Sequence, residues 1–330
     1  MDLSNTLKRI IYVTAAFFVW TAYAEGGVVI DAAIQDKLKA AVAKPQRVYP
    51  LDLAQNQQTF ERIDQWAGTL IDLSQTEPKR IKKERKVYWI ETSVNTPIAL
   101  GKSGKKIEPE KPFRIKYVQM PQKRALVKTL RIPSEKTLSD QTAANIGKEF
   151  IATHQFIRVT PQDAIKDQVV VNRRCKPIES TTQSNPKALT IQQRVIFKRA
   201  FNGLEVLNSR QIVDIHPDSG EILAYKSINW TPVEENKGSA AAYKRVKDIV
   251  REITKAFEKK PGTVRVDRIK AGMFQTDKRL FPVIAVYTAP QAGRDQMMPI
   301  QRVLYISLAK DIDLPAPKSH RTLPTTASAQ

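Results

Sequence analysis

The stretch Arg210-Gln211-Ile212-Val213-Asp214-Ile215-His216-Pro217-Asp218-Ser219-Gly220-Glu221-Ile222-Leu223-Ala224-Tyr225-Lys226-Ser227 decides how the rest of the chain is read. Two runs with strand character flank a short polar turn. Pro217 presets φ for that turn, and Gly220 permits a positive φ at its end, so the two runs pair as an antiparallel hairpin. Upstream, residues 169–172 and 193–199 have the same β-branched and aromatic character and read as two further strands. Before them Ser139 is a good helix N-cap and Asp140 a favourable first-turn residue, which predicts a helix over 139–154 with Ile146 and Phe150 toward the core. The unit 138–235 is therefore expected to be one helix followed by four antiparallel strands, with a polar loop over 176–189.

The same order recurs downstream. A helix is expected over 239–259, its Tyr243, Val246, Val250, Ile253 and Phe257 lining one face and Pro261-Gly262 ending it. Strands follow at 264–269, 280–288 and 302–308. Upstream, the period is helical over 52–71 and then changes to two at 87–90, 113–118 and 126–130. The expected class is α+β: tandem helix-on-sheet modules at 138–235 and 239–310, preceded by a mostly β domain at 51–133. Residues 25–50 read as an N-terminal arm and 311–330, rich in Pro, Ser, Thr and Ala, as a disordered tail.

The start of the chain carries Lys8 and Arg9, an apolar run over 10–20 and Ala22-Tyr23-Ala24, the three parts of a cleavable secretory signal over 1–24. Its apolar run is shorter than the ~20 residues of a spanning helix, and no later stretch reaches that length. The mature chain is expected to be exported, periplasmic or extracellular, without a transmembrane span. Its single cysteine, Cys175, has no internal partner for a disulfide.

Around the decisive hairpin the residues carry a resemblance. The run Val195-Ile196-Phe197-Lys198-Arg199-Ala200-Phe201-Asn202-Gly203-Leu204-Glu205-Val206, then 209–215, then Asp218-Ser219-Gly220-Glu221-Ile222, resembles the propeptide modules of thermolysin- and fungalysin-type proteases. The third unit stands where the related PepSY module follows. Glu205 departs from the Pro usual before the Val, and Asn208 from the Gly usual two residues after it. The resemblance implies a cystatin-like fold for each module and a role in folding, inhibiting or localising a protease. No protease accompanies it, because the chain lacks His-Glu-x-x-His and with it the paired ligands and general base of a zincin.

Chemistry-bearing motifs are scarce. The three histidines, His154, His216 and His320, fall on an expected helix end, a turn and the tail. Gly101-Lys102-Ser103-Gly104-Lys105-Lys106 fails the phosphate-loop spacing, since no Gly precedes Gly104 by five residues and Lys106 occupies the hydroxyl position. The sequence thus points to a binding protein without catalytic residues, cofactor or metal.

Charge is the strongest remaining signal. Lysines and arginines number 54 against 33 acids, a formal net charge of +21, and removing the signal leaves +20. Between Lys79 and Arg131 sixteen bases face four acids, a net of +12. Two surfaces are expected from this. A protein-binding surface for a secreted protease or other exported protein would use Phe201, Asn202 and Gly203 with Pro217, Asp218 and Gly220. A docking surface for an anionic envelope polymer or lipid head groups would use Lys79, Arg80, Lys82, Lys83, Arg85 and Lys86 with Arg114 and Lys116, the last two alternating with apolar residues on one strand face.

Overall fold

A computed structural model describes residues 27–44, 47–74, 76, 78–82, 85–92, 113–128, 134–175, 189–234, 236–258, 263–289 and 303–314. The expected signal over 1–24, the 101–106 loop, the loop over 176–188 and all but the start of the tail lie outside them. In chain order the elements are β1 (Val28–Val29), α1 (Ala32–Val42), β2 (Arg47–Pro50), α2 (Leu53–Gly68), β3 (Lys79–Lys82), β4 (Arg85–Thr92), β5 (Phe113–Met120) and β6 (Lys123–Lys128). Then come α3 (Asp140–Thr153), β7 (Asp163–Cys175), β8 (Leu189–Phe201), β9 (Leu204–Ile215), β10 (Ile222–Ile228), β11 (Ser239–Ala240), α4 (Val246–Phe257), β12 (Val264–Gln275), β13 (Arg279–Thr288) and β14 (Val303–Ser307). They form two compact units, one made of 49–237 with 274–280 and the other of the remainder.

In the larger unit eight strands make an antiparallel sheet in the order β7-β8-β9-β10-β6-β5-β4-β3. Each helix starts where the sequence supplies a cap: Asp52 accepts from Gln55 N (2.9 Å) and Ser139 from Thr142 N (3.0 Å). Helices α2 and α3 lie on the same face of the sheet. Phe60, Ile63 and Ala67 from α2 and Ala143, Ala144 and Ile151 from α3 share one core with Tyr117, Leu126, Phe197, Val213 and Tyr225 from the strands. Helix α3 sits closest at Gly147, where an added Cβ would stand 3.1 Å from Phe197 Cζ. An aromatic chain closes the core, with Trp66–Phe150 at 5.2 Å, Phe150–Phe156 at 5.6 Å and Phe156–Tyr225 at 4.7 Å between ring centroids.

One charge is fully enclosed in this unit. Arg199, 0% exposed, donates from Nε to Asp163 Oδ1 at 2.8 Å and from Nη1 to Gln275 Oε1 at 2.6 Å. Gln275 in turn donates to Thr231 Oγ1 and accepts from Thr231 N. With these partners in place the buried charge is tolerated.

In the smaller unit α1 and α4 face the β12, β13 and β14 strands. Ile34 and Leu38 of α1 join Ile249, Ile253 and Phe257 of α4 in one apolar cluster with Val266, Ile284 and Ile306. β1 runs parallel to β12, Val28 opposite Val264, while β13 and β14 are antiparallel.

Several expectations change. The tandem cystatin-like α+β arrangement is not found: the described residues are mostly β, 46% strand against 25% helix, and the cystatin-like fold implied by the resemblance falls with it. The strands expected in a separate basic domain pair with those of the next segment, from Ala224 opposite Val127 to Ile228 opposite Lys123, and both helices feed one core. The physical reason is the sheet edge. β10 and β6 each present a row of backbone donors and acceptors, and pairing them satisfies both rows. The helix expected over 239–259 begins only at Val246, because Tyr243 bridges to Ala309 and Lys244 N bonds to Leu308 O, which hold that segment extended. The expected arm contains α1, whose buried pair Ile34 and Leu38 is too short a pattern to mark a helix.

Candidate functional site

The sheet of the larger unit has two unlike faces. Both helices of the unit cover one; the other carries no helix of this unit. Because side chains alternate across a strand, the registers place the residues of the second face in rows. One row runs Val87, Val118, Ala125, Lys226, Ile212 and Ile196 from β4 to β8. The next on one side includes Lys116, Val127, Ala224, Asp214 and Arg194. The next on the other includes Lys123, Ile228, Arg210 and Lys198. Val87, Val118 and Ala125 form a small apolar floor with Met120 beside it. Lys116, Lys123 and Lys226, on the rows around them, are half-buried.

The face is strongly cationic. Lys123 is the centre of the cluster: partial burial lowers its pKa first, and the charges of Lys226, Arg85, Arg210 and Lys116 lower it further. Five cations from five different strands thus feel one another. Asp214 is the main internal counter-charge, 3% exposed. It accepts from Arg194 Nε at 2.6 Å and Nη2 at 2.9 Å, and Lys226 Nζ lies 3.3 Å from its second oxygen. Burial alone would raise the Asp214 carboxyl, but the Arg194 hydrogen bond and the Lys226 and Arg194 charges outweigh it and hold the group below the usual carboxylate range. Lys226 is itself lowered, by burial first, with Arg194 and Arg173 adding to the effect and Asp214 opposing it. Like charges held this close repel one another.

Of the residues expected to bind a polyanion, Arg85 and Lys116 lie on this face. Lys86 is exposed but alternates onto the opposite side of β4. Lys79, Arg80, Lys82 and Arg114 are strand residues whose side chains, with all of Lys83, lie outside the described residues. The sequence missed Lys123, Lys226 and Arg210. Alternation marks each as outward on its own strand, but only the β6–β10 and β9–β10 registers bring them together.

The turn residues are distributed differently. Asn202 (φ 48°) and Gly203 (φ 77°) form the exposed tip of the β8–β9 hairpin, and Asn202 Nδ2 donates to the Tyr49 hydroxyl at 3.0 Å. Phe201 is buried, with its ring edge-on to Tyr49 at 4.7 Å. Pro217 is buried too, and its carbonyl accepts from Leu138 N at 2.9 Å. Asp218 is exposed, and Gly220 takes the positive φ (76°) that its turn demands. His216 serves the same turn, Nδ1 accepting from Ser219 N at 3.2 Å. Among the described residues no group of three or more His, Cys, Asp or Glu is placed to hold a metal, and no helix is long and apolar enough to cross a membrane.

No family model matches the chain, and no curated protein does. Among solved structures, an uncharacterized protein from Eubacterium rectale is similar over 82% of this chain and 86% of its own, at 10% identity and a TM-score of 0.39.

Proposed function

We propose that this is an exported, non-catalytic binding protein that docks an extended anionic polymer on the helix-free face of its eight-stranded sheet. The observation that carries the reading is the group of five cations, Arg85, Lys116, Lys123, Arg210 and Lys226, which share one face and depress the Lys123 ammonium. Lys116, Lys123, Lys226 and Arg210 stand on four consecutive strands, β5, β6, β10 and β9. At about 4.8 Å per strand they span about 14 Å. A single small anion touches two or three such groups, whereas a polymer bearing phosphate, sulfate or carboxylate groups engages the whole set.

The test is retention on long-chain inorganic polyphosphate. Neutralising three central positions together, Lys116→Gln, Lys123→Gln and Lys226→Gln, is expected to weaken binding about 100-fold at low salt, taking about 1 kcal/mol per lysine near an anionic surface. Neutralising Lys79, Arg80 and Lys82 on the outermost strand costs less. Unchanged retention in the triple variant, with its circular dichroism intact, would sink the proposal.

A further inference from the structure

The two edges of the eight-stranded sheet are built differently. β3 is four residues long and carries Lys79, Arg80 and Lys82, features that discourage strand addition. β7 is thirteen residues long and contains no proline, and its centre is Val169-Val170-Val171. Among the described residues β7 pairs only with β8, so its outer row of backbone groups has no strand partner. Val171 is exposed. Two side-chain oxygens on the strand, Gln168 Oε1 and Asn172 Oδ1, are shut off from water without a hydrogen-bond partner, a costly arrangement in an isolated chain.

These features are symmetric about one residue. Gln168 and Asn172 stand two positions either side of Val170, and Asp167 and Arg173 three positions either side. We propose that β7 pairs antiparallel with β7 of a second copy of this chain, with the two-fold axis at Val170. In that register Gln168 of each copy faces Asn172 of the other, so each orphaned amide oxygen meets an amide donor. Asp167, which has Lys198 Nζ at 3.4 Å in its own chain, faces Arg173 of the other copy, a contact made twice. Val169 faces Val171, and Val170 faces itself. Sliding the axis by one residue in either direction breaks all of these matches. The regular pairing ends at Asp167 and Arg173, because β7 has register shifts between Ile165 and Asp167 and between Arg173 and Arg174. The self-complementarity is what an isologous interface requires, and it selects a second copy over an unrelated strand. The pairing is independent of polymer docking, yet it would set two cationic faces in one sixteen-stranded sheet.

The experiment is sedimentation velocity on the full chain from low to high micromolar concentration, with a charge swap. The native chain is expected to dimerise. Asp167→Arg alone and Arg173→Asp alone each place like charges opposite one another twice, and each is expected to weaken dimerisation about 10-fold or more. The double variant Asp167→Arg/Arg173→Asp restores it. Val171→Lys, at an exposed position, weakens it without touching the Asp167 and Arg173 contact, which covers the case in which a charge variant folds poorly. A chain that stays monomeric throughout, or a dimer indifferent to the charge swap, would overturn the proposal.

Discussion

The two faces of the eight-stranded sheet come from the same strands, yet they carry opposite tasks. The covered face holds Tyr117, Leu126, Phe197, Val213 and Tyr225 under α2 and α3 and stabilises the unit by apolar burial. The helix-free face spends part of that stability on like charges held close together. The covered face matches its residues to one another, while the helix-free face holds like charges together, the arrangement on which the proposed docking rests. Substitutions on the two faces should therefore separate stability from binding.

The largest effect is expected on the covered face. Phe197→Ala removes a fully buried ring under Gly147 and is expected to cost about 3–5 kcal/mol in urea unfolding. Whatever remains folded should bind polyphosphate as the native chain does. Next comes Asp214→Asn, where the two faces pull apart. Arg194 and Lys226 lose their shared carboxylate, so stability falls by about 2 kcal/mol, while the face gains one positive charge and polyphosphate retention rises. A variant that lost both properties would contradict the division of tasks.

The same carboxylate gives a pH test. The folded-state pKa of Asp214 is depressed, so its contribution is fully present above the ordinary carboxylate value of about 3.9 and is lost as pH falls through the lower folded value. The native chain and Asp214→Asn should converge in urea midpoint as pH drops below the carboxylate range. A constant gap down to that pH would assign the effect elsewhere. The smallest change is expected for Lys123→Gln. Its ammonium is penalised by burial and by like charges, so removing it should leave the unfolding free energy in urea within about 0.5 kcal/mol or raise it slightly, while polyphosphate affinity falls.

The local elements were largely legible. The Ser139 cap, the Asp52 helix and the hairpin at His216–Gly220 follow from short-range rules, and Asn202-Gly203 supplies the positive φ pair of a tight hairpin. What could not be read was which strand pairs with which. Ala224 and Val127 are nearly a hundred residues apart, and nothing in either run names the other, so the expected domain split between them gave way to one sheet. The same gap hid most of the cationic face. Arg85 and Lys116 fall in the basic stretch, but Lys226 and Arg210 come from segments of ordinary charge that the registers bring alongside. Phe201 and Pro217 show the converse: residues at a turn signal that the fold consumes as core and as a backbone acceptor.

The central claim, that the cationic face binds an extended polyanion, is tested most directly by the salt dependence of polyphosphate affinity in the native chain. If four or five cations release counterions on binding, the logarithm of the association constant should fall with the logarithm of salt concentration with a slope of about −3 to −4. A slope near zero, or affinity that survives molar salt, would contradict the account.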